Sequence, residues 1–283
     1  MGIKYLNNIC KKYCKDSYTN INLHELKYKT IVIDTNVYMY QFKKTNTLEV
    51  DFEIMCQKLI KYNITPMFIF DGNVPKDKLD FVEKRKHIRK TAESKLQILS
   101  TKTLSNKNKH KIKHYENQTI KLNRTDFLIV KNLFHKYKLS YITAINEADE
   151  LCALMNKLHN YPVMSEDMDL FVYGTTTIIK NPNFYKETID FYNTKSIINT
   201  LNILSINHFQ SICILAGTDY YSNNNFNIYI AICLYIMYIE TNKNFNYSLI
   251  DWCLSNNIIS YDEFYIYKHI YNKFNFSNLK LLQ

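Results

Sequence analysis

The sequence predicts an α/β protein: a mostly parallel central sheet covered by helices on both faces. Two apolar runs, KTIVIDTN and TPMFIFDGN, are rich in β-branched and aromatic residues, and they close on Asp34 and Asp71. Runs that are apolar at every position suit strands buried on both faces, as in parallel sheets under helices. Between them, TLEVDFEIMCQKLIKYNI carries Phe52, Met55, Cys56, Leu59 and Ile60 at helical spacing, so the unit reads strand–helix–strand. Acids then recur at strand ends further along the chain, at the edge where the chemistry of such sheets collects.

The remaining elements follow in order. DKLDFVEKRKHIRK reads as a helix with a basic face. Lys78, Arg85 and Arg89 stand at i, i+7 and i+11, which returns them to nearly the same side. KTLSNKNKHKIKHYENQ is polar, Lys-rich and aperiodic, and reads as a disordered or mobile excursion. RTDFLIVKNLFHKYKLSYI is a helix and then a short strand near Ser140 to Ile142.

In NEADELCALMNKLHN, Asn146 reads as the N-cap with Asp149 in its N3 position, above an apolar stripe of Leu151, Leu154, Met155 and Leu158. Acids in a first helical turn gain roughly 0.3–1 kcal/mol from the helix dipole alone, so Glu147 and Asp149 need no further role on this ground. PVMSEDMD supplies the next strand end. An extended backbone from Val163 to Asp169 would point Asp167 and Asp169 to one side, where they repel by roughly 3 kcal/mol at an effective dielectric near 20. TTTIIK near Thr175 is a further strand, and TKSIINTLNILSINHFQSICILAGTDY reads as helical segments running into Asp219. Ile228 to Ile239 is apolar on nearly every face and reads as a core helix.

Composition narrows the function. Lys and Arg number 36 against 26 Asp and Glu, a net charge of +10, which favours a polyanionic partner, nucleic acid above all. The seven Cys contain no CxxC pair, which argues against zinc and for reduced, mostly buried thiols of an intracellular protein. MGIKYLNNICKKYC lacks the apolar core of a secretory signal, and the apolar segment from Phe226 is short for a bilayer span, so a soluble protein without membrane contact is expected. Acids gathered inside so basic a chain suit hard divalent cations acting on phosphodiesters. A haloacid-dehalogenase-type phosphatase would need a second acid two residues after Asp34, where Asn36 stands.

These residues together resemble the flap endonuclease (XPG-type) family of structure-specific nucleases, from MGI at the N-terminus through LAGTDY at Tyr220. IDTNVYMYQF, FIFDGNVPKDKLDFVEKRKHIRK, EADELCA, SEDMD and ILAGTDY are similar to the family's motifs in the family's order. The resemblance implies a PIN-like nuclease fold with a helical arch insertion and a helical C-terminal region. It implies one nuclease domain over 1–283, with nuclease parts at 1–95 and 121–220, the arch at 96–120, and a degenerate helix–two-turn–helix in 221–283.

It further implies that Asp34, Asp71, Glu147, Asp149, Asp167, Asp169 and Asp219 hold two Mg²⁺ ions, with Mn²⁺ as a substitute. Asp149 replaces a glutamate, which shortens its reach. Lys78 and Arg85 fall on catalytic positions that contact the scissile phosphate, and Gly2, Tyr40 and Arg89 join them in binding DNA, Tyr40 by stacking on a base. Glu150 and Glu166 lack counterparts and read as ordinary hydrated acids.

The implied substrate is DNA with 5′ flaps, nicks, gaps or branches, met in the nucleus or at a viral replication site. The competing reading is a non-catalytic nucleic-acid-binding protein that keeps the fold. SNNNFNIYIAICLY departs from the family's glycine-rich turn, and no sliding-clamp motif follows. Asn223, Asn224 and Asn225 are the residues that tolerate left-handed backbone best after glycine, so a shortened turn with a weak duplex grip is expected there.

Overall fold

Two faces of one sheet each carry a separate apolar core, and the strand sequences show why. The structure, a computed structural model, describes residues 3, 5–100, 106–241 and 247–276. Helix α1 (Leu6–Tyr13) leads into strand β1 (Tyr18–Asn22), then β2 (Thr30–Asp34), α2 (Thr35–Lys44), α3 (Leu48–Lys61) and β3 (Thr65–Phe70). Helices α4 (Leu79–Ser100), α5 (Asn106–Thr119) and α6 (Arg124–Lys136) precede β4 (Tyr141–Thr143), α7 (Ala148–His159), β5 (Val163–Met164) and α8 (Asp169–Val172). The hairpin β6 (Thr177–Asn183) and β7 (Thr188–Asn193) is followed by α9 (Thr194–Thr200), α10 (Ile206–Ala216), α11 (Ile228–Thr241), α12 (Leu249–Ser255) and α13 (Tyr261–Phe274).

The strands lie in the order β1-β7-β6-β5-β2-β3-β4. β4, β3, β2, β5 and β6 pair in parallel, whereas β7 and β1 add an antiparallel margin. Alternation splits the strand residues between the cores. Val32, Ile69, Val163 and Ile178 face α1 and α7 to α13, while Ile33, Phe68, Phe70, Met164 and Ile179 face α2, α3 and α6. Both faces are covered, as the fully apolar runs predict. Among the described residues, no helix is long and apolar enough to cross a membrane.

Several local expectations give way. SEDMD is not extended: β5 ends at Met164, the chain turns, and α8 begins at Asp169. Asp167 Oδ1 accepts the Asp169 amide at 3.0 Å, so the two acids are linked by a turn and do not share a strand face. The N-cap of α7 is Glu147, not Asn146, and its side chain makes no capping bond because other partners hold it. The Lys-rich stretch is no aperiodic excursion where it is described. α4 runs for 22 residues and α5 packs back along it, so the two form a helical hairpin.

An antiparallel margin, β1 and β7, lies beyond the expected parallel strands; β1, YTNIN, is mostly polar and gives little strand signal. Asn223, Asn224 and Asn225 are absent from the left-handed residues. Asn223 instead bonds through its side chain to Glu263 at 2.6 Å, and Asn227 accepts the Tyr229 amide at 2.9 Å. α11 buries only Ile228, Ala231, Tyr235 and Tyr238; its opposite face leaves Tyr229, Ile230, Ile236 and Met237 exposed.

One glycine aligns the acidic edge. After β3, the Gly72 amide donates to Asn146 O at 2.6 Å and the Asn73 amide to Ile145 O at 3.0 Å. A Cβ on Gly72 would stand 1.9 Å from Ala144 O and 2.6 Å from Ile145 O. Only Gly permits this approach, which sets Asp71 beside the start of α7. Gly72→Ala should therefore destabilise the protein by about 2–4 kcal/mol. A melting curve close to wild type would show that the two loops can part freely.

Candidate metal centre and its basic gate

The carboxylates come from five separate places in the chain and meet where the parallel strands end. Asp34 closes β2, is 4 % exposed, accepts the Ser165 hydroxyl at 2.9 Å and caps α2 through the Val37 amide at 3.4 Å. Asp71 follows β3 and accepts the Ala148 amide at 2.8 Å, which ties the second strand end to α7. Asp149 is buried in the first turn of α7 and accepts the Glu150 amide at 2.7 Å. Asp169, 1 % exposed, has no hydrogen-bond partner for either carboxylate oxygen. Asp219 follows α10 beyond Gly217, whose φ of 105° turns the chain out of the helix.

Burial and mutual repulsion act on these groups together. Asp34 is pushed up to about 8 by burial and by Asp71. Burial raises Asp149 and Asp169 well above the carboxylate range, with Glu147 adding to the first and Asp167 and Asp219 to the second. Asp219 is raised by burial and by Asp167.

Two cations reach in from the start of α4. The Lys78 ammonium, nearly buried, pairs with Glu147 at 2.6 Å and lies 4.4 Å from the ring centroid of Tyr220. Burial alone would lower its pKa, but Asp149 and Glu147 outweigh that and hold it above the lysine range. Arg85 donates to Asp219 Oδ2 at 2.7 Å. Arg89 stands one turn further on the same helix, with its Nε buried and unpartnered. Tyr40, midway along α2, is 37 % exposed and not a core ring. Gly2 lies outside the described residues.

Among the described residues, no three His, Cys, Asp or Glu side chains converge tightly enough, as they stand, to hold one ion. Positive charge among the acids comes from Lys78 and Arg85. The donor set nonetheless fits a hard divalent cation, since every candidate ligand is a carboxylate and Asp169 offers two buried oxygens with nothing bound to them.

Three residues at the site have roles that sequence reasoning did not assign. Ser165 is fully buried and joins two acids, donating to Asp34 and accepting the Asp167 amide at 3.1 Å. Tyr220 donates to Glu147 at 2.9 Å. Lys273 of α13 lies 4.3 Å from the centroid of the Tyr220 ring. Ser165 and Tyr220 fall inside the legible motifs SEDMD and ILAGTDY, but nothing local marks Lys273.

Comparison with known proteins matches residues 1–92 to the XPG N-terminal domain and residues 138–219 to the XPG I-region. The chain is similar to a probable RAD2-like endonuclease of Invertebrate iridescent virus 6, at 26% identity over 79% of this chain and 68% of that protein. It is 27% identical to flap endonuclease 1 of Enterocytozoon bieneusi, over 78% of this chain and 65% of that one. The chain thus spans about two thirds of the length of these relatives. The catalytic core of Rad2 in complex with DNA substrate shares the fold, with a TM-score of 0.66 at 22% identity over 96% of this chain and 86% of that one. So does human GEN1 in complex with Holliday junction DNA, with a TM-score of 0.65 at 18% identity over 100% and 68%.

The electrostatics make a prediction that needs no substrate. Asp169→Asn removes a buried carboxyl that has no hydrogen-bond donor and is disfavoured in its charged form by burial and by Asp167 and Asp219, so in EDTA this variant should melt higher than wild type, by an amount on the order of 1 kcal/mol or more. A lower melting temperature in EDTA would mean that the Asp169 charge is already compensated.

Proposed function

The chain belongs to the XPG family, and from that premise we propose that it is a structure-specific DNA nuclease that hydrolyses phosphodiester bonds using two Mg²⁺ ions. Mn²⁺ would substitute, because the same oxygen donors suit it. The observation that carries this reading is the convergence of buried acids on one sheet edge, with Asp169 left unpaired, inside a strongly basic chain. Bound there, a pair of such ions supplies an activated water and stabilises the leaving oxygen of an in-line displacement. Asp34, Asp71, Glu147, Asp149, Asp167, Asp169 and Asp219 would hold them directly or through water.

The protein's own part is placement and charge. Lys78 and Arg85 are paired with Glu147 and Asp219. A scissile phosphate at this edge offers both cations charge-assisted hydrogen bonds in place of those carboxylates. Arg89 continues the basic track along α4. Tyr40 presents an exposed ring on which a base beside the cleaved bond can stack. The α4–α5 hairpin corresponds to the arch of the resemblance, and would favour substrates with a single-stranded 5′ flap, nick, gap or branch. The exposed face of α11 is apolar and carries no cation among Tyr229, Ile230, Ile236 and Met237, which argues for a weak duplex grip on that side. Such an enzyme would serve DNA replication, repair or recombination.

The test is cleavage of labelled 5′-flap, nicked and single-stranded DNA with Mg²⁺. Wild type should cut the branched substrate. Asp169→Asn should lose cleavage while binding DNA in EDTA as tightly or more tightly, and near-wild-type cutting by that variant would sink the metal assignment. Lys78→Ala and Arg85→Ala should each lose turnover by roughly a hundredfold, the scale of a transition-state charge contact. If they lose affinity alone, they are ordinary backbone contacts.

A further inference from the structure

The first turns of α4 have little apolar anchorage. Leu79 is 52 % exposed and Val82 39 %, so the apolar residues that follow Lys78 do little to fix where it points. Polar and aromatic contacts decide it, and several of them come from α13, which lies outside both stretches matched to the XPG family. Lys273 pairs with Asp77 at 3.2 Å, and His269, one turn earlier, approaches the same carboxylate at 3.3 Å. Asp77 is the residue before Lys78.

The Lys273 ammonium also lies over the Tyr220 ring that carries Lys78, and the Tyr220 hydroxyl holds Glu147, the partner of Lys78. α13 is itself registered by Phe274, which is fully buried and packs edge-on against Tyr220 and Tyr173 at 5.6 and 4.5 Å. Beside the Glu147 pair, Lys273 therefore touches two of the things that orient Lys78: the backbone before it, through Asp77, and the ring beneath it.

We infer that Lys273 is a positioning residue that holds Lys78 at the acidic edge before DNA arrives, so that the C-terminal helix braces the basic gate. This rests on the reading that Lys78 serves phosphodiester cleavage. Lys273 does not reach the acids and has no part in the chemistry itself. Its loss leaves Lys78 charged and present but spread over more orientations, which lowers the fraction of complexes with the ammonium in place. Cation–π contacts and partly exposed ion pairs are individually modest, so the effect is a slowed step and not an abolished one.

The test compares wild type with Lys273→Met, which keeps the hydrocarbon stem, Lys273→Arg, which keeps the charge, and Lys268→Met. The last removes the Lys268–Asp251 pair at 2.8 Å between α12 and α13, and so loosens the same helix without touching the gate. Single-turnover cleavage of a 5′-flap duplex in Mg²⁺, the dissociation constant for that duplex in EDTA, and amide exchange over residues 76–85 without metal are measured for each. Lys273→Met should slow cleavage about tenfold, leave the dissociation constant within about twofold, and speed exchange at residues 76–85. Lys273→Arg should restore most of the rate, and Lys268→Met should leave it unchanged. Equal slowing by Lys268→Met, or unchanged exchange in Lys273→Met, would overturn the inference. If wild type does not cleave at all, the nuclease reading fails, and the exchange experiment still decides whether Lys273 braces the gate.

Discussion

Repulsion among buried carboxylates is the constraint on which the rest of this structure depends. Seven acids gather at one sheet edge, and several are shielded from the water that would otherwise screen them. Folding must hold them there against both desolvation and like charge. Part of the answer is local: the Val37, Ala148, Glu150 and Asp169 amides and the Ser165 hydroxyl each donate to one of the acids. The other part is long-range, the two cations of α4. Asp169 feels the field of Lys78 but has no hydrogen-bond donor at either oxygen, and that deficit leaves both oxygens open to an added cation.

The scaffold that enforces this crowding is the doubly covered sheet. β2 lies between β5 and β3, so Asp34 is placed at the centre of the edge, with Asp71 on one flank and the SEDMD turn on the other. Cores on both faces make that register hard to shift, since a slip by one residue would exchange the residues of one core for those of the other. The close approach at Gly72 joins the β3 loop to the start of α7 and so ties Glu147 and Asp149 to Asp71.

The cationic side is built differently. α4 and α5 are polar helices that pack chiefly on one another, and the start of α4 is held by charge and by the Tyr220 ring more than by burial. A rigid acidic edge thus faces a basic element whose contacts are individually weak and exchangeable. That division would suit the proposed nuclease site, whose metal ligands would have to be fixed in advance while its phosphate-contacting groups changed partners as the substrate entered. α13 lies between the two regimes, anchored in a core by Phe274 and paired at its polar surface with Asp77.

Much of this was legible in the sequence, because strand burial, helix periodicity and charge are properties of neighbouring residues. The apolar runs before Asp34 and Asp71 determined buried parallel strands. The spacing of Lys78, Arg85 and Arg89 determined one basic helix face, and the ordered motifs determined the family. The tertiary structure alone decided what depends on distant partners. By residue type Asn146 is the better cap, yet the position fell to Glu147, beside the loop against which Asp71 and Gly72 close. Asp167 and Asp169 lost their shared strand face because β5 stops at Met164 and the chain must turn into α8. The Lys-rich stretch became a helix because α4 offered it a surface to pack along. Lys273 entered the site from nearly two hundred residues away because Phe274 docks beside Tyr220. Local spacing records which residues share a face, whereas contact between faces is set by how the whole chain packs, and no window of the sequence contains that information.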